Sequence, residues 1–124
     1  MAEAIATARC KGDATFESAG VNALAWSPAT PTAVEALHEI GVDLAGHRAR
    51  QLDGRLAEMM DVIYVMTADH RAGVSEIAPG MKDRVVMLRP DGSDIEDPYG
   101  GDIAAYRIAR DEIAAAIGAR GFGL

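Results

Sequence analysis

Three segments of the chain have the apolar pattern of β-strands. Residues 61–67 (DVIYVMT) and 84–88 (RVVML) are almost continuously apolar, which is typical of strands buried on both faces of a sheet. Residues 14–20 (ATFESAG) alternate more weakly and end in a glycine, which predicts a short strand followed by a turn. The pattern therefore predicts three strands.

Helical periodicity marks most of the remaining chain. Residues 2–9 are rich in alanine and predict a first helix. A second helix is predicted after Thr30, an N-cap residue followed by proline, with Gly41 as its stop. Asp53 is the expected N-cap of a short third helix, and residues 102–121 form a long last one that ends at Gly118 or Gly121.

Helices that alternate with short buried strands indicate an α/β fold with a parallel sheet. The length of 124 residues fits one domain spanning residues 1–124. In such folds, ligands bind outside the carboxyl ends of the strands. Here those ends are the segments SAG, MTADH and LRPDGSDIEDPYGG.

Composition narrows the classes of function. A net charge of −7 argues against non-specific nucleic-acid binding, but leaves room for a phosphate site built from helix N–H groups. No secretory signal and no apolar run of about 18 residues is visible, so we expect no membrane span. A single cysteine allows no internal disulfide, which favours a reducing, cytoplasmic setting.

Metal and thiol chemistry find little support in the spacing of residues. The histidines His38, His47 and His70 show no metal-binding spacing, so we predict neither a metal nor a cofactor. A thiolate that attacks phosphate is typically found in Cys-x5-Arg, whereas Cys10 is followed at that distance by Phe16. Cys10 is therefore expected to pack as a small apolar residue on the first helix.

Asp97 in the segment DPYGG has two interpretations. Asp-Pro commonly starts a turn, and in that case Tyr99 is a surface aromatic. Alternatively, Asp97 is a general acid in a loop that its glycines allow to approach a ligand, and Tyr99 is one wall of a substrate slot. His47, in the polar stretch GHRARQL, is either a surface residue or a hydrogen-bonding support for a site.

Several segments in one order resemble the low-molecular-weight protein tyrosine phosphatase family. They are MAEAI, SAGV, TPTAVEALHEIGVDLAGHRARQL, MDVIYVMTADH and DPYGG. The resemblance implies a three-layer α/β/α fold and hydrolysis of a phosphorylated protein or small phosphoester through a cysteinyl-phosphate, without a metal. Asp97 matches the family's general acid and Tyr99 its aromatic wall, while Ser18 and His47 match residues that hold the phosphate loop in shape. Gly100, where many eukaryotic members have a second aromatic, makes DPYGG more similar to bacterial protein arginine phosphatases.

The family's first strand and its Cys-x5-Arg loop precede the helix that matches MAEAI, so we expect both to lie upstream of Met1. Without that central strand, neighbouring strands lose their partners, and we expect this chain to be inactive and poorly folded, rearranged or associated through open edges. The alternatives are a non-catalytic binding or scaffold module and, less favoured because of the single cysteine, an arsenate reductase. A receiver-type domain would need clustered acidic residues at the end of its first strand, and this chain has none there. Substrate and oligomeric state stay open.

Overall fold

The computed structural model describes residues 1–10 and 12–121 and contains five α-helices, one 3-10 helix and two β-strands in those residues. We number the helices and strands in chain order. They are α1 (Ala2–Arg9), α2 (Pro31–His38), α3 (Gly54–Glu58), β1 (Ile63–Val65), α4 (Ala68–Ile77), the 3-10 helix (Pro79–Arg84), β2 (Val85–Met87) and α5 (Ile103–Arg120).

The two strands pair in parallel, with Ile63 opposite Val85 and Val65 opposite Met87. Because side chains alternate along a strand, β1 contributes to two separate hydrophobic clusters. Ile63 and Val65 pack with α3 and α4, whereas Tyr64 packs with α1, α2 and α5. Helices thus cover both faces of a small parallel sheet, which confirms the predicted α/β class and its three-layer arrangement.

The predicted N-caps of α2 and α3 are confirmed. The Thr30 hydroxyl accepts a hydrogen bond from the Ala33 amide at 3.3 Å, and Asp53 Oδ1 accepts one from the Leu56 amide at 2.7 Å. Gly41, predicted to stop α2, is not at that position: the C-cap is Glu39, and Gly41 lies three residues after the last helical residue, His38, with a φ of +76°. Of the two glycines proposed to end α5, Gly121 does so, in the left-handed conformation.

The strand predicted at residues 14–20 is wrong as a strand, and so is the count of three. Burial does alternate along the segment, because Phe16, Ser18 and Gly20 are half-buried and the residues between them are exposed. Within the described part of the chain, however, it forms a single parallel bridge, between Gly20 and Gln51. One bridge without a neighbouring ladder does not make a strand, so burial alternates here without sheet hydrogen bonding.

Helix α4 and the 3-10 helix after it were not predicted. Thr67 caps α4 by accepting a hydrogen bond from the His70 amide at 3.1 Å. The glycine in the middle of α4, Gly73, weakens the helical signal. A Cβ at Gly73 would lie 3.3 Å from the Val21 side chain, which is a tight contact.

An ion-pair cluster fastens α2 to α5 away from the sheet. Glu39 accepts hydrogen bonds from Arg107 and from Arg110, each at 2.6 Å at the shortest. Arg110, only 9% exposed, also donates to the carbonyl of Ala36 at 2.9 Å and to Asp111 at 2.8 Å.

None of the described helices combines the length and the apolar character needed to span a bilayer.

Candidate functional site

Ser18 and His47, far apart in sequence, are joined by the carboxylate of Glu3. The Ser18 hydroxyl donates to Glu3 Oε1 at 3.2 Å, and His47 Nδ1 lies 3.6 Å from Glu3 Oε2. The side chains of Glu3 and His47 are both about a quarter exposed, so the group is accessible to water but largely shielded from it. The carboxylate fixes two polar side chains relative to each other, which is what support of a neighbouring loop requires.

Backbone contacts bring these three residues together. Glu3 lies in the first turn of α1, and Ser18 lies in the extended segment that ends at the Gly20–Gln51 bridge. The Gly20 amide donates to the Arg50 carbonyl at 2.8 Å, which places residues 47–51 beside Ser18. The His47 amide donates a hydrogen bond to the Leu44 carbonyl at 3.1 Å, which closes a turn that ends at His47.

An open cavity of about 380 Å³ lies above this group. Its lining combines the Glu3 bridge with a polar strip and one aromatic side chain. The lining residues are Glu3, Ser18, Ala25, Trp26, Gly46, His47, Arg48, Ala49, Arg50 and Gln51. A cavity of this size accommodates a small ligand group, and its lining is mostly apolar, with polar groups at one side.

Trp26 has an unusual backbone for an exposed aromatic residue. Its φ is +69°, and its side chain is 81% exposed. The position is held by its amide, which donates to the Ala49 carbonyl at 2.7 Å, and by the Ala49 amide, which donates to Ser27 at 2.8 Å. Left-handed backbone at a bulky residue costs about 1–2 kcal/mol and concentrates at functional sites.

Two arginines line the cavity in different ways. Arg50 donates from Nε and Nη2 to the Ser18 carbonyl at 3.4 and 3.3 Å, and its Nη2 lies 3.9 Å from Glu17. Arg48 donates from Nη1 alone, to the carbonyls of His47 at 2.8 Å and Ala45 at 3.4 Å. Arg50 therefore secures the Ser18 segment, while Arg48 is fixed by backbone oxygens.

The segment DPYGG forms a tight exposed loop. Asp97 Oδ1 accepts the Tyr99 amide at 3.0 Å, and the Gly101 amide donates to the Pro98 carbonyl at 2.8 Å. Gly100 is the third residue of the four-residue turn that runs from Pro98 to Gly101. Its φ of +81° is a conformation that favours glycine at this position. Tyr99 is 78% exposed, so the turn presents both the carboxylate and the ring outward.

Both ends of this loop are anchored. On one side, Ile95 is buried and its amide donates to the Met66 carbonyl at 2.8 Å, beyond the carboxyl end of β1. Asp94 accepts the first amide of α4, that of Ala68, at 2.9 Å. On the other side, Asp102 caps α5 by accepting the Ala105 amide at 3.0 Å.

Of the four residues named from the sequence, the structure brings Ser18 and His47 together. Asp97 and Tyr99 lie on the separate DPYGG loop and are not among the residues that line the cavity. Sequence reasoning missed Glu3 and Trp26. The only signal for Glu3 was its place in the segment MAEAI, and Trp26 carried none beyond being the only tryptophan.

Cys10 follows α1, is half-buried and packs against the cluster formed by α1, α2 and α5. This agrees with its predicted role as a small packing residue.

Among residues 1–10 and 12–121, no three His, Cys, Asp or Glu side chains lie close enough together to hold a metal ion.

The chain matches a known family over almost all of its length. The profile of the low molecular weight phosphotyrosine protein phosphatases matches residues 1–119. A probable low molecular weight protein-tyrosine-phosphatase, EpsP of Ralstonia nicotianae, is 36% identical over 97 residues, which are 77% of this chain and 67% of that protein. The protein-arginine-phosphatase of Geobacillus stearothermophilus is 38% identical over 102 residues, which are 78% of this chain and 68% of that protein. The chain thus matches about two thirds of the length of these relatives.

Solved structures agree with the sequence matches. The YwlE arginine phosphatase from Geobacillus stearothermophilus superposes with a TM-score of 0.90 at 32% identity, over 97% of this chain and 80% of that chain. Wzb of Vibrio vulnificus, solved with benzylphosphonate, superposes with a TM-score of 0.84 at 31% identity, over 89% of this chain and 80% of that chain.

Proposed function

Because this chain belongs to the low molecular weight phosphotyrosine protein phosphatase family, we propose that it takes part in hydrolysing a phosphate group from a protein side chain. The match over residues 1–119 carries this proposal. The bridge between Ser18, Glu3 and His47 at the edge of an open cavity supports it, because a phosphate site needs fixed polar groups around it. We place the reaction in a reducing compartment, the cytoplasm.

Asp97 is the general acid in this proposal. Asp97 is exposed, one of its carboxylate oxygens is held by the Tyr99 amide, and the other has no hydrogen bond to the described residues. As the bond between phosphorus and the leaving atom breaks, Asp97 gives that atom a proton. It then takes a proton from the water that attacks the cysteinyl-phosphate, releasing inorganic phosphate and the thiolate. Such a group contributes about 10²–10⁴-fold in rate.

The nucleophile is not among residues 1–124. Their only cysteine is Cys10, and Phe16 stands where Cys-x5-Arg requires arginine. We therefore propose that these residues alone do not hydrolyse phosphate esters and that the thiolate loop is supplied from outside them. Ser18 and His47 then act as positioning residues that hold this loop by hydrogen bonds.

The substrate is a phosphorylated protein, either on tyrosine or on arginine. Tyr99 offers a flat, exposed wall for either side chain, and Gly100 leaves the opposite side of the loop open. The relatives named above include both a tyrosine and an arginine phosphatase. Comparing hydrolysis of matched phosphotyrosine and phosphoarginine peptides decides between these substrates.

The test starts with the intact mass and N-terminal residue of the protein purified from its own cells. A mass above 13.0 kDa with a Cys-x5-Arg sequence near its N-terminus fits the proposal. In that protein, Asp97→Asn is expected to lower kcat by about 10²-fold or more, while the neighbouring Glu96→Gln is expected to retain it. A native mass of 13.0 kDa without hydrolysis would instead favour a binding or scaffold module.

A further inference from the structure

Asp94 joins the segment before the DPYGG loop to the start of helix α4. Its Oδ1 accepts a hydrogen bond from the Ala68 amide, 26 positions earlier in the chain, at 2.9 Å. Helix α4 does not need this bond as a cap, because the Thr67 hydroxyl already accepts the His70 amide at 3.1 Å. Water commonly satisfies the remaining first-turn amides of an exposed helix. The bond therefore constrains the segment that carries Asp94 more than it stabilises α4.

Within the described residues, the other acidic side chains between β2 and α5 that form hydrogen bonds do so with near neighbours. Asp91 bonds within the turn of residues 89–93, and Asp102 caps the helix that it precedes. Asp97 bonds to an amide two positions later. Asp94 is thus the acidic residue of this connection that reaches an element elsewhere in the chain.

Helix α4 is held to the sheet, so it can act as a support for this contact. Arg71 donates to the carbonyl of Val85 in β2 at 3.0 Å. Val74 is buried in the cluster that also contains Val65 of β1. The first amide of α4 therefore has a fixed position relative to both strands. A side chain that bonds to this amide takes its position from the body of the protein rather than from the exposed loop.

The contact lies close to Asp97 along the chain. Ile95, the residue after Asp94, is buried, and its amide donates to the Met66 carbonyl at 2.8 Å. Asp94 and Ile95 therefore fix two consecutive residues against the segment that joins β1 to α4. Asp97 follows Ile95 by two residues, which span about 7 Å at most. So short a connection passes a change at Asp94 on to the position of the Asp97 carboxylate.

Resting on the proposed phosphatase function, we infer that Asp94 is a positioning residue for the general acid Asp97. Asp94 itself transfers no proton and does not contact the substrate. Its hydrogen bond to Ala68 fixes the direction in which the chain enters the DPYGG loop, and with it the place where Asp97 gives a proton to the leaving atom. Because a misplacement of about 1 Å can lower a rate by about 10²-fold, losing one of two neighbouring contacts is expected to lower kcat about tenfold.

The first measurement uses the 124-residue protein and needs no nucleophile. Amide hydrogen exchange of Ile95 and the backbone order parameter of Tyr99 are measured by NMR. For Asp94→Ala, we expect exchange of the Ile95 amide to be about tenfold faster and the order parameter of Tyr99 to fall from about 0.85 toward 0.6. Two controls are expected to match the parent. Asp94→Asn keeps an oxygen acceptor, and Asp69→Ala removes an exposed carboxylate from the first turn of α4.

The second measurement uses the longer protein that carries the Cys-x5-Arg loop, with phosphotyrosine and phosphoarginine peptides as substrates. We expect Asp94→Ala to lower kcat about tenfold with KM changed less than about twofold, and Asp94→Asn to restore kcat. In an Asp97→Asn background, Asp94→Ala is expected to have no further effect, because it acts through Asp97.

The outcomes separate the inference from the proposed function. Unchanged Ile95 exchange in Asp94→Ala, an equal loss of kcat in the Asp97→Asn background, or a loss that Asp94→Asn does not restore would each overturn the inference. A parent protein that hydrolyses neither peptide would overturn the proposed function, and the NMR measurements alone would then decide whether Asp94 positions the loop.

Discussion

Gly101 is the residue of the DPYGG loop that tolerates a side chain least. A Cβ at this position would lie 2.8 Å from the Ala105 Cβ and 2.9 Å from the Pro98 carbonyl oxygen. Neither neighbour yields easily, because Ala105 is in the capped first turn of α5 and the Pro98 oxygen accepts the Gly101 amide. Gly100 is the matched contrast, since a Cβ there meets open space but its φ is +81°.

The two glycines therefore predict different costs. For Gly101→Ala, overpacking lowers the free energy of unfolding by about 1–3 kcal/mol. The lower conformational entropy of the unfolded chain raises it again by about 0.4–1 kcal/mol. For Gly100→Ala, the left-handed backbone costs about 1–2 kcal/mol, with the same entropic compensation. Asparagine separates the two causes, because it tolerates left-handed backbone but is larger than alanine.

Urea unfolding of the four single variants, followed by circular dichroism, measures these free energies. We expect Gly100→Asn to be more stable than Gly100→Ala, and Gly101→Asn to be no more stable than Gly101→Ala. The same order should hold for thermal unfolding, at about 4 °C per kcal/mol. A Gly101→Ala protein more stable than the parent would refute the steric argument and the tight turn on which the position of Asp97 depends.

Three further outcomes are expected. Hydrogen bonds from Arg107 and then Arg110 lower the pKa of Glu39 from 4.5 to about 2. The stability that this adds is present above pH 4.5 and is lost as the pH falls toward 2. Glu39→Gln should therefore flatten the pH dependence of the unfolding free energy, measured by urea unfolding, in that window. Glu3→Ala should cost about 1 kcal/mol in urea unfolding, and Glu17→Ala, whose ion pair is long and exposed, less than about 0.5 kcal/mol. Amide hydrogen exchange should be fast across residues 14–20 apart from Phe16 and Gly20, and strong protection of the whole segment in a monomer would contradict this.

Local signals along the chain were sufficient for much of the fold. Ala2–Arg9 was predicted with the bounds that the structure has, and the caps at Thr30 and Asp53 follow from side-chain chemistry within three residues. The buried strands were found but drawn too long, because apolar residues beside a strand continue into its turns. Helix α4 was not predicted because Gly73 lowers its helix propensity, although a Cβ at Gly73 would lie only 3.3 Å from the Val21 side chain.

The candidate site was predictable only in part because its key contacts are long-range. Ser18 and His47 were named through a resemblance, but nothing within either segment indicates that Glu3 joins them. Likewise, the backbone of Trp26 is set by Ala49, 23 positions later in the chain, and no local pattern predicts a left-handed tryptophan. Local sequence thus specifies caps and turns well, and it specifies poorly the side chains that meet only after the chain has folded.

The two halves of the candidate site differ in how they are held, and this bears on their roles. Glu3 accepts a hydrogen bond from Ser18 and lies 3.6 Å from His47, and all three are partly buried, so they are suited to holding a loop still. Asp97 is fixed through one oxygen only, on an exposed loop anchored at both ends, and so keeps an oxygen available for a proton. A proton donor needs a free oxygen in a defined place, whereas a positioning group needs to spend its hydrogen bonds on its neighbours. This division of labour is why we assign the chemical step to Asp97 and the support of the phosphate loop to Ser18 and His47.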